Sequence, residues 1–251
     1  MNKLPQITLL FWIMKICATT LGETGGDLLS MTLNVGYALS SLILIGIFLA
    51  SLLTQLAAKR FHPALYWTVI LTTSTAGTTM SDYMDRTLGL GYAKGALILV
   101  TILLVILALW RRFGSTLSVT NIITFRDEFF YWTAILFSNT LGTALGDFLS
   151  DDSGLGYSGG ALLIASLIAA VVLATYTTRI SRVVLFWIAF VLTRPFGATV
   201  GDLLTKPVSS GGLGFGTIGS SAILITVLAS LILYTGWALR RQMRPAEEMA
   251  E

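Results

Sequence analysis

Five carboxylates interrupt stretches that are otherwise apolar. Glu23 and Asp27 stand four residues apart in LGETGGDLLS, and Asp82, Asp147 and Asp202 occupy the matching place in AGTTMSDYMD, LGTALGDFLS and FGATVGDLLT. On a helix, residues spaced i, i+4, i+8 share one face. Each acid therefore ends a polar stripe: Thr19, Glu23, Asp27; Ser74, Thr78, Asp82; Asn139, Thr143, Asp147; Arg194, Ala198, Asp202. In the first stretch the stripe reaches one turn further back, to Lys15. A charge at the bilayer centre costs roughly 2.5–3.5 kcal/mol on insertion scales, so these groups are expected to face a polar interior shared by the four stripes.

Oxygen ligands, with no cysteine or well-placed histidine among them, suit hard cations such as Mg²⁺, Mn²⁺ or Ca²⁺ better than Cu⁺ or Zn²⁺. The expected site has Glu23 and Asp27 as primary carboxylates, Asp82, Asp147 and Asp202 completing it, and Asn139, Thr19, Thr78 and Thr143 as neutral ligands. Lys15 and Arg194 are expected as internal counter-charges, leaving the acids in surplus. Crowded carboxylates in a low-dielectric interior do not all ionise, so an entering cation would displace protons and couple the two movements. The competing structural reading has each Asp cap a turn or pair locally, Asp82 with Arg86 and Asp202 with Lys206, each four residues on.

Immediately before the polar stripe runs a small one: Ala18, Gly22, Gly26; Thr73, Gly77, Ser81; Ser138, Gly142, Gly146; Thr193, Gly197, Gly201. Small residues at this spacing let helix backbones approach closely in lipid, so Gly22, Gly26, Gly77, Gly142, Gly146, Gly197 and Gly201 are expected to form a packing face.

The elements that carry both stripes repeat four times. An aromatic–Trp pair, ending in Trp12, Trp67, Trp132 or Trp187, stands ten residues before Gly22, Gly77, Gly142 and Gly197. A second Gly followed by an aromatic comes nine residues after the Asp in three copies, at Gly36, Gly91 and Gly156; in the fourth, Gly214 comes after twelve. Each unit reads as a motif-bearing helix, a Gly-rich turn and a plainer apolar helix, over about 8–60, 63–112, 128–180 and 183–241, with 242–251 as a polar tail. The fold class is all-α: eight transmembrane helices from four parallel two-helix repeats, arranged pseudo-fourfold or two by two.

Composition agrees with a bilayer as solvent. Of the 251 residues 55% are hydrophobic and 12% charged, and runs of about 20 apolar residues recur, enough to cross about 30 Å of hydrocarbon. The net charge of +3 is no sign of nucleic-acid binding, because the basic residues collect near segment ends. Lys3, Lys59, Arg60, Arg111, Arg112, Arg126, Arg179, Arg182, Arg240, Arg241 and Arg244 fall at the termini and between repeats, against Arg86, Lys94 and Lys206 at the other end. The positive-inside rule then places both termini in the cytoplasm and the tryptophans in the cytoplasmic aromatic belt. Cys17 is the only cysteine, so no internal disulfide forms, and His62 before Pro63 reads as a loop residue.

With Trp12, Trp67, Trp132 and Trp187 at matching positions, the chain resembles a family of bacterial integral membrane proteins built from four tandem copies of a repeat of unknown function. The resemblance implies the architecture and the bacterial inner membrane, and brings no activity. From the residues, the leading expectation is a proton-linked transporter of a divalent cation, with lipid and the transported ion as partners and a homo-oligomer left open. One alternative is an anion or organic-acid transporter built on Lys15 and Arg194; another is a non-transporting scaffold or sensor. No enzyme is expected: the chain has neither a Gly-x-Ser-x-Gly elbow nor metal-ligand histidine spacing, and no cofactor beyond a bound divalent cation.

Overall fold

The computed structural model describes residues 5–58, 60–114, 122 and 124–248, with side chains through 241 in the last helix. Lys3, Lys59 and the side chain of Arg244 lie outside the described residues. Eight long helices follow one another: α1 (Leu9–Asp27), α2 (Tyr37–Ala57), α3 (Pro63–Asp82), α4 (Tyr92–Phe113), α5 (Phe125–Asp147), α6 (Gly156–Thr177), α7 (Arg182–Thr205) and α8 (Gly216–Glu248). α8 thus continues into the segment that composition marks as a polar tail.

Local signals start and stop these helices. The Thr8 hydroxyl accepts from the Phe11 amide, and Pro63 stands in the first turn of α3, where its missing N–H costs nothing. Thr124 and Asp127 cap α5 reciprocally: the Thr124 hydroxyl accepts from the Asp127 amide and donates to the Asp127 carboxylate. At the other end, α1, α3 and α5 each run into one turn of π-helix, Leu28–Thr32, Tyr83–Thr87 and Phe148–Asp152. The chain then reverses at Gly36, Gly91 and Gly156, whose φ of 80°, 72° and 65° is left-handed space that favours glycine. The fourth repeat departs: after α7 comes Pro207 and a short 3₁₀ turn, Val208–Ser210, and Gly216 rather than Gly214 opens the following helix.

The first helices of the repeats close a ring. α1 packs against α3 and α7, and α5 packs against the same two. The second helices form an outer layer, each resting on the first helix of the next repeat: α2 on α3, α4 on α5, α6 on α7, and α8 back on α1. This handover gives the molecule its pseudo-fourfold character.

Among the described helices, α2, α4, α6, α7 and the segment Gly216–Arg241 of α8 are long and apolar enough to cross a membrane. The other three, α1, α3 and α5, form the ring with α7 and turn their polar stripes into the contacts between its helices. Leu42, Leu97, Leu162 and Leu233 project exposed from the outer helices, as expected of a multi-pass membrane protein in contact with lipid.

The tryptophans correct the sequence reading. Trp67, Trp132 and Trp187 are buried, not set in a lipid-facing belt, whereas Trp12 is half-buried. With Phe11, Tyr66, Tyr131 and Phe186 they form a network of edge-on and tilted rings at the end of the ring nearest the termini, where the Tyr66 and Tyr131 hydroxyls meet at 2.8 Å.

Candidate functional site

The two stripes turn out to be the two sides of one interface. A Cβ added at Gly22 would collide with Ser74, and one at Gly26 would lie 2.8 Å from Thr78. One at Gly77 would meet the Asn139 backbone at 3.0 Å, one at Gly142 would collide with Arg194, and one at Gly146 would lie 2.6 Å from Ala198. The ring closes in the same way, Gly197 against Thr19 at 2.6 Å and Gly201 against Glu23 at 2.9 Å. The small face of each repeat thus packs on the polar face of the next. The expected polar interior is therefore not a wide passage walled by the stripes, since close helix contact fills it.

Within that packing, the groups sort into levels by repeat register. Arg194 is fully buried, and its Nη2 lies 2.9 Å from Glu23 Oε2 while donating to the hydroxyls of Thr78 at 2.5 Å and Thr143 at 2.6 Å. Glu23, Thr78, Thr143 and Ala198 are equivalent positions. Ala198, the small member, sits on the same helix as the arginine that fills the centre. Thr78 and Thr143 also reach Glu23 Oε2, at 3.3 and 3.5 Å. Of the remaining expected ligands, Thr19 donates to the carbonyls of Lys15, Ile16 and Thr193, which is a packing role. Asn139 donates from Nδ2 to Thr73 and Ser74.

One turn further along, the four equivalent aspartates form two pairs. Arg86 bridges Asp82 at 2.9 Å and Asp147 at 3.3 Å; Lys206 bridges Asp202 at 3.1 Å and Asp27 at 3.0 Å. Each cation thus takes the aspartate four residues before it and one from a neighbouring repeat. Burial opposes the charge on both, yet the flanking carboxylates hold each above its ordinary pKa, Asp82 and Asp147 for Arg86, Asp202 and Asp27 for Lys206. The expected ring of four is a two-by-two arrangement, and local pairing is part of it.

These contacts also revise the charge balance. The sequence sets two basic groups against five acids; in the structure Arg86 and Lys206 join Arg194 among those acids, and Lys15 makes no ion pair among the described residues. Lys15 is fully buried, its Nζ 4.1 Å from the centroid of Phe190. Five carboxylates then face three cations, leaving two negative charges when all are ionised.

Glu23, Asp147 and Asp202 each bring a carboxylate oxygen within 4.8 Å of the other two, all three residues being buried. The sequence reading makes Glu23 and Asp27 the primary carboxylates; in the structure Asp147 and Asp202 stand nearest to Glu23, sharing Arg86 with Asp82 and Lys206 with Asp27. Three carboxylates from three repeats, with hydroxyls beside them, have the hard-oxygen chemistry that holds Mg²⁺, Mn²⁺ or Ca²⁺. Sequence reasoning gives Arg86 and Lys206 as local partners of Asp82 and Asp202 and misses that each also joins the site through a second aspartate. The signal was present, since both continue the polar stripe by one more step of four.

No curated protein and no solved structure matches the chain. The model of the Repeat of Unknown Function (DUF347) matches it four times, over residues 10–61, 65–116, 130–181 and 185–241. Those spans coincide with the four helix pairs of the ring, and the chain belongs to the DUF347 repeat family.

Proposed function

We propose that the protein transports a divalent cation across the membrane, with Glu23, Asp147 and Asp202 as the binding station and protons as the exchanged ions. The observation that carries this reading is the convergence of those three buried carboxylates. The two uncompensated negative charges around them support it, because a divalent cation or two protons would balance the cluster. Arg194 holds Glu23 in place, and Arg86 and Lys206 set how much charge the cluster presents. The basic residues at the termini end support a cytoplasmic location for both termini in the inner membrane of a bacterium. The carboxylates would then open toward the outside.

Calorimetric titration of the purified full-length protein with Mn²⁺, Mg²⁺ and Ca²⁺ at two pH values tests the station. Saturable binding with proton release is expected, lost in the Asp147→Asn/Asp202→Asn variant. Flux of the bound ion into proteoliposomes then tests movement. The absence of binding with all three ions, or heats unchanged in the variant, would remove the cation reading.

A further inference from the structure

The two cations at the turn end are alike in their inner bridges and differ in what lies outside them. Arg86 Nε lies 2.9 Å from Asp82, and its Nη2 stands between two carboxylates of the third repeat, 3.3 Å from buried Asp147 and 3.8 Å from exposed Asp151. Lys206 bridges Asp202 at 3.1 Å and Asp27 at 3.0 Å, and is the more enclosed side chain, 19% exposed against 31% for Arg86. Repeat register explains the difference. The position four residues after each aspartate is Met31, Arg86, Asp151 and Lys206 in chain order. The repeat that follows Arg86 around the ring thus offers an acid at that position, whereas the one that follows Lys206 offers a methionine.

The surroundings of Asp151 prepare it to receive the guanidinium. Its Oδ2, the oxygen nearest Arg86, accepts from the Tyr92 hydroxyl at 3.2 Å, and the centroid of the Tyr92 ring lies 5.5 Å from Arg86 Cζ. One aromatic side chain thus holds the carboxylate and lies under the cation. A shift of Nη2 by about 1 Å toward Asp151 completes a charge-assisted hydrogen bond of about 2.8 Å. Nε stays on Asp82 during that shift, so Asp82 serves as the pivot. Asp147 belongs to the trio with Glu23 and Asp202, and Asp82 does not, so the carboxylate released is a ligand of the station.

We propose that Arg86 gates the cation station, withdrawing from Asp147 to Asp151 as a divalent cation arrives, with Asp151 as its positioning residue. The gate rests on the cation reading and adds to it how the station is held shut and opened. A divalent cation at Asp147 repels the guanidinium, and a charge left without a partner beside a buried cluster is costly. With Asp151 in place the arginine exchanges one carboxylate for another, so the binding energy of the cation has only to cover the difference between the two positions. Lys206 has no acid at the matching position and keeps its bridge.

Titration calorimetry of the purified full-length protein with Mn²⁺, and with Mg²⁺ and Ca²⁺ beside it, tests the gate. Asp151→Asn should weaken binding about tenfold, because the fraction of molecules with Asp147 free falls by that factor. Asp152→Asn, an equal change of charge at the exposed neighbouring residue, should leave the affinity unaltered. In an Arg86→Gln background the effect of Asp151→Asn should vanish, since no guanidinium remains to be received. Unchanged affinity in Asp151→Asn, a loss matched by Asp152→Asn, or an equal loss in the Arg86→Gln background would overturn the gate and leave the station standing. No binding of any of the three ions by the unaltered protein would remove the station and the gate with it.

Discussion

The two ends of the ring interior use the same stripe in different ways. Toward the turns, carboxylates from every repeat are gathered and partly neutralised by Arg86 and Lys206, both of which retain some exposure. At the level of Lys15 the equivalent positions, Ile70, Ile135 and Phe190, are buried and apolar, and Lys15 is the one charge at that level. The turn end keeps four similar residues and differentiates them through their partners. The terminal end keeps a common apolar layer and differentiates a single copy. A repeated scaffold thus lets one position change at a time, since the small stripes hold the helices in register regardless of the polar side chain opposite.

The boundary between these halves is the pair Arg194 and Glu23, and breaking it should have the largest effect. Arg194→Met leaves Glu23 buried and uncompensated, and is expected to cost about 3–5 kcal/mol in detergent unfolding. Adding Glu23→Gln should recover much of that loss; a double variant as unstable as the sum of its parts would show that the two groups do not act as a pair. Next come the glycines that hold the ring together. Gly142→Ala forces a Cβ into the Arg194 side chain and should cost about 1–3 kcal/mol, whereas Gly46→Ala in outer helix α2, with nothing within 4 Å, should be neutral or slightly stabilising. Equal effects at the two sites would blur the contrast between inner and outer helices.

Much of this was legible beforehand because the i, i+4 spacing is a property of a single helix. The stripes, the four repeats and the closeness demanded by Gly22 or Gly197 all follow from it. Partner choice across the ring was not legible. Nothing in the spacing says that Arg86 reaches Asp147 or that Lys206 reaches Asp27, because those pairs depend on which way round the repeats close. Nor does it say how far a flexible arginine extends: Arg194 begins at the level of Asn139 and delivers its guanidinium to Glu23, Thr78 and Thr143. The burial of Trp67, Trp132 and Trp187 escapes the sequence for a similar reason, since an aromatic near a span end reads as interfacial until the neighbouring helix is known to cover it.

Two finer tests sharpen the turn end. Lys206→Gln frees Asp27 and Asp202 and adds one negative charge to the cluster, so Mn²⁺ affinity in the same titration should rise about tenfold, or 1.4 kcal/mol. A fall would mean that the lysine organises the site rather than competing for it. The smallest effect concerns Asp85, in the π-turn after α3, where the other repeats carry Ser30, Ser150 and Thr205. Burial pushes its carboxyl up to about 6, against the opposing Ser81 hydrogen bond and Arg86 charge. A raised carboxyl pKa in the fold means that ionisation destabilises it. Asp85→Ser should therefore stabilise by about 1 kcal/mol above pH 6, with the gain disappearing as the pH falls to about 4. A gain that is the same at both pH values would point to packing rather than charge.

The handover of each outer helix to the following repeat has a consequence for how the chain is made. No helix pair is a finished hairpin when it leaves the ribosome: α2 waits for α3, α4 for α5, and α6 for α7. α1 waits longest, because the helices that flank it, α7 and α8, are synthesised last, and Arg194 arrives with them. Of these eight helices, the earliest made carries Lys15, Glu23 and Asp27 and is the last to be enclosed. Until then its charges depend on α3, on lipid headgroups or on an insertase for shelter, and the nascent chain should be most vulnerable to proteolysis just before its fourth repeat emerges.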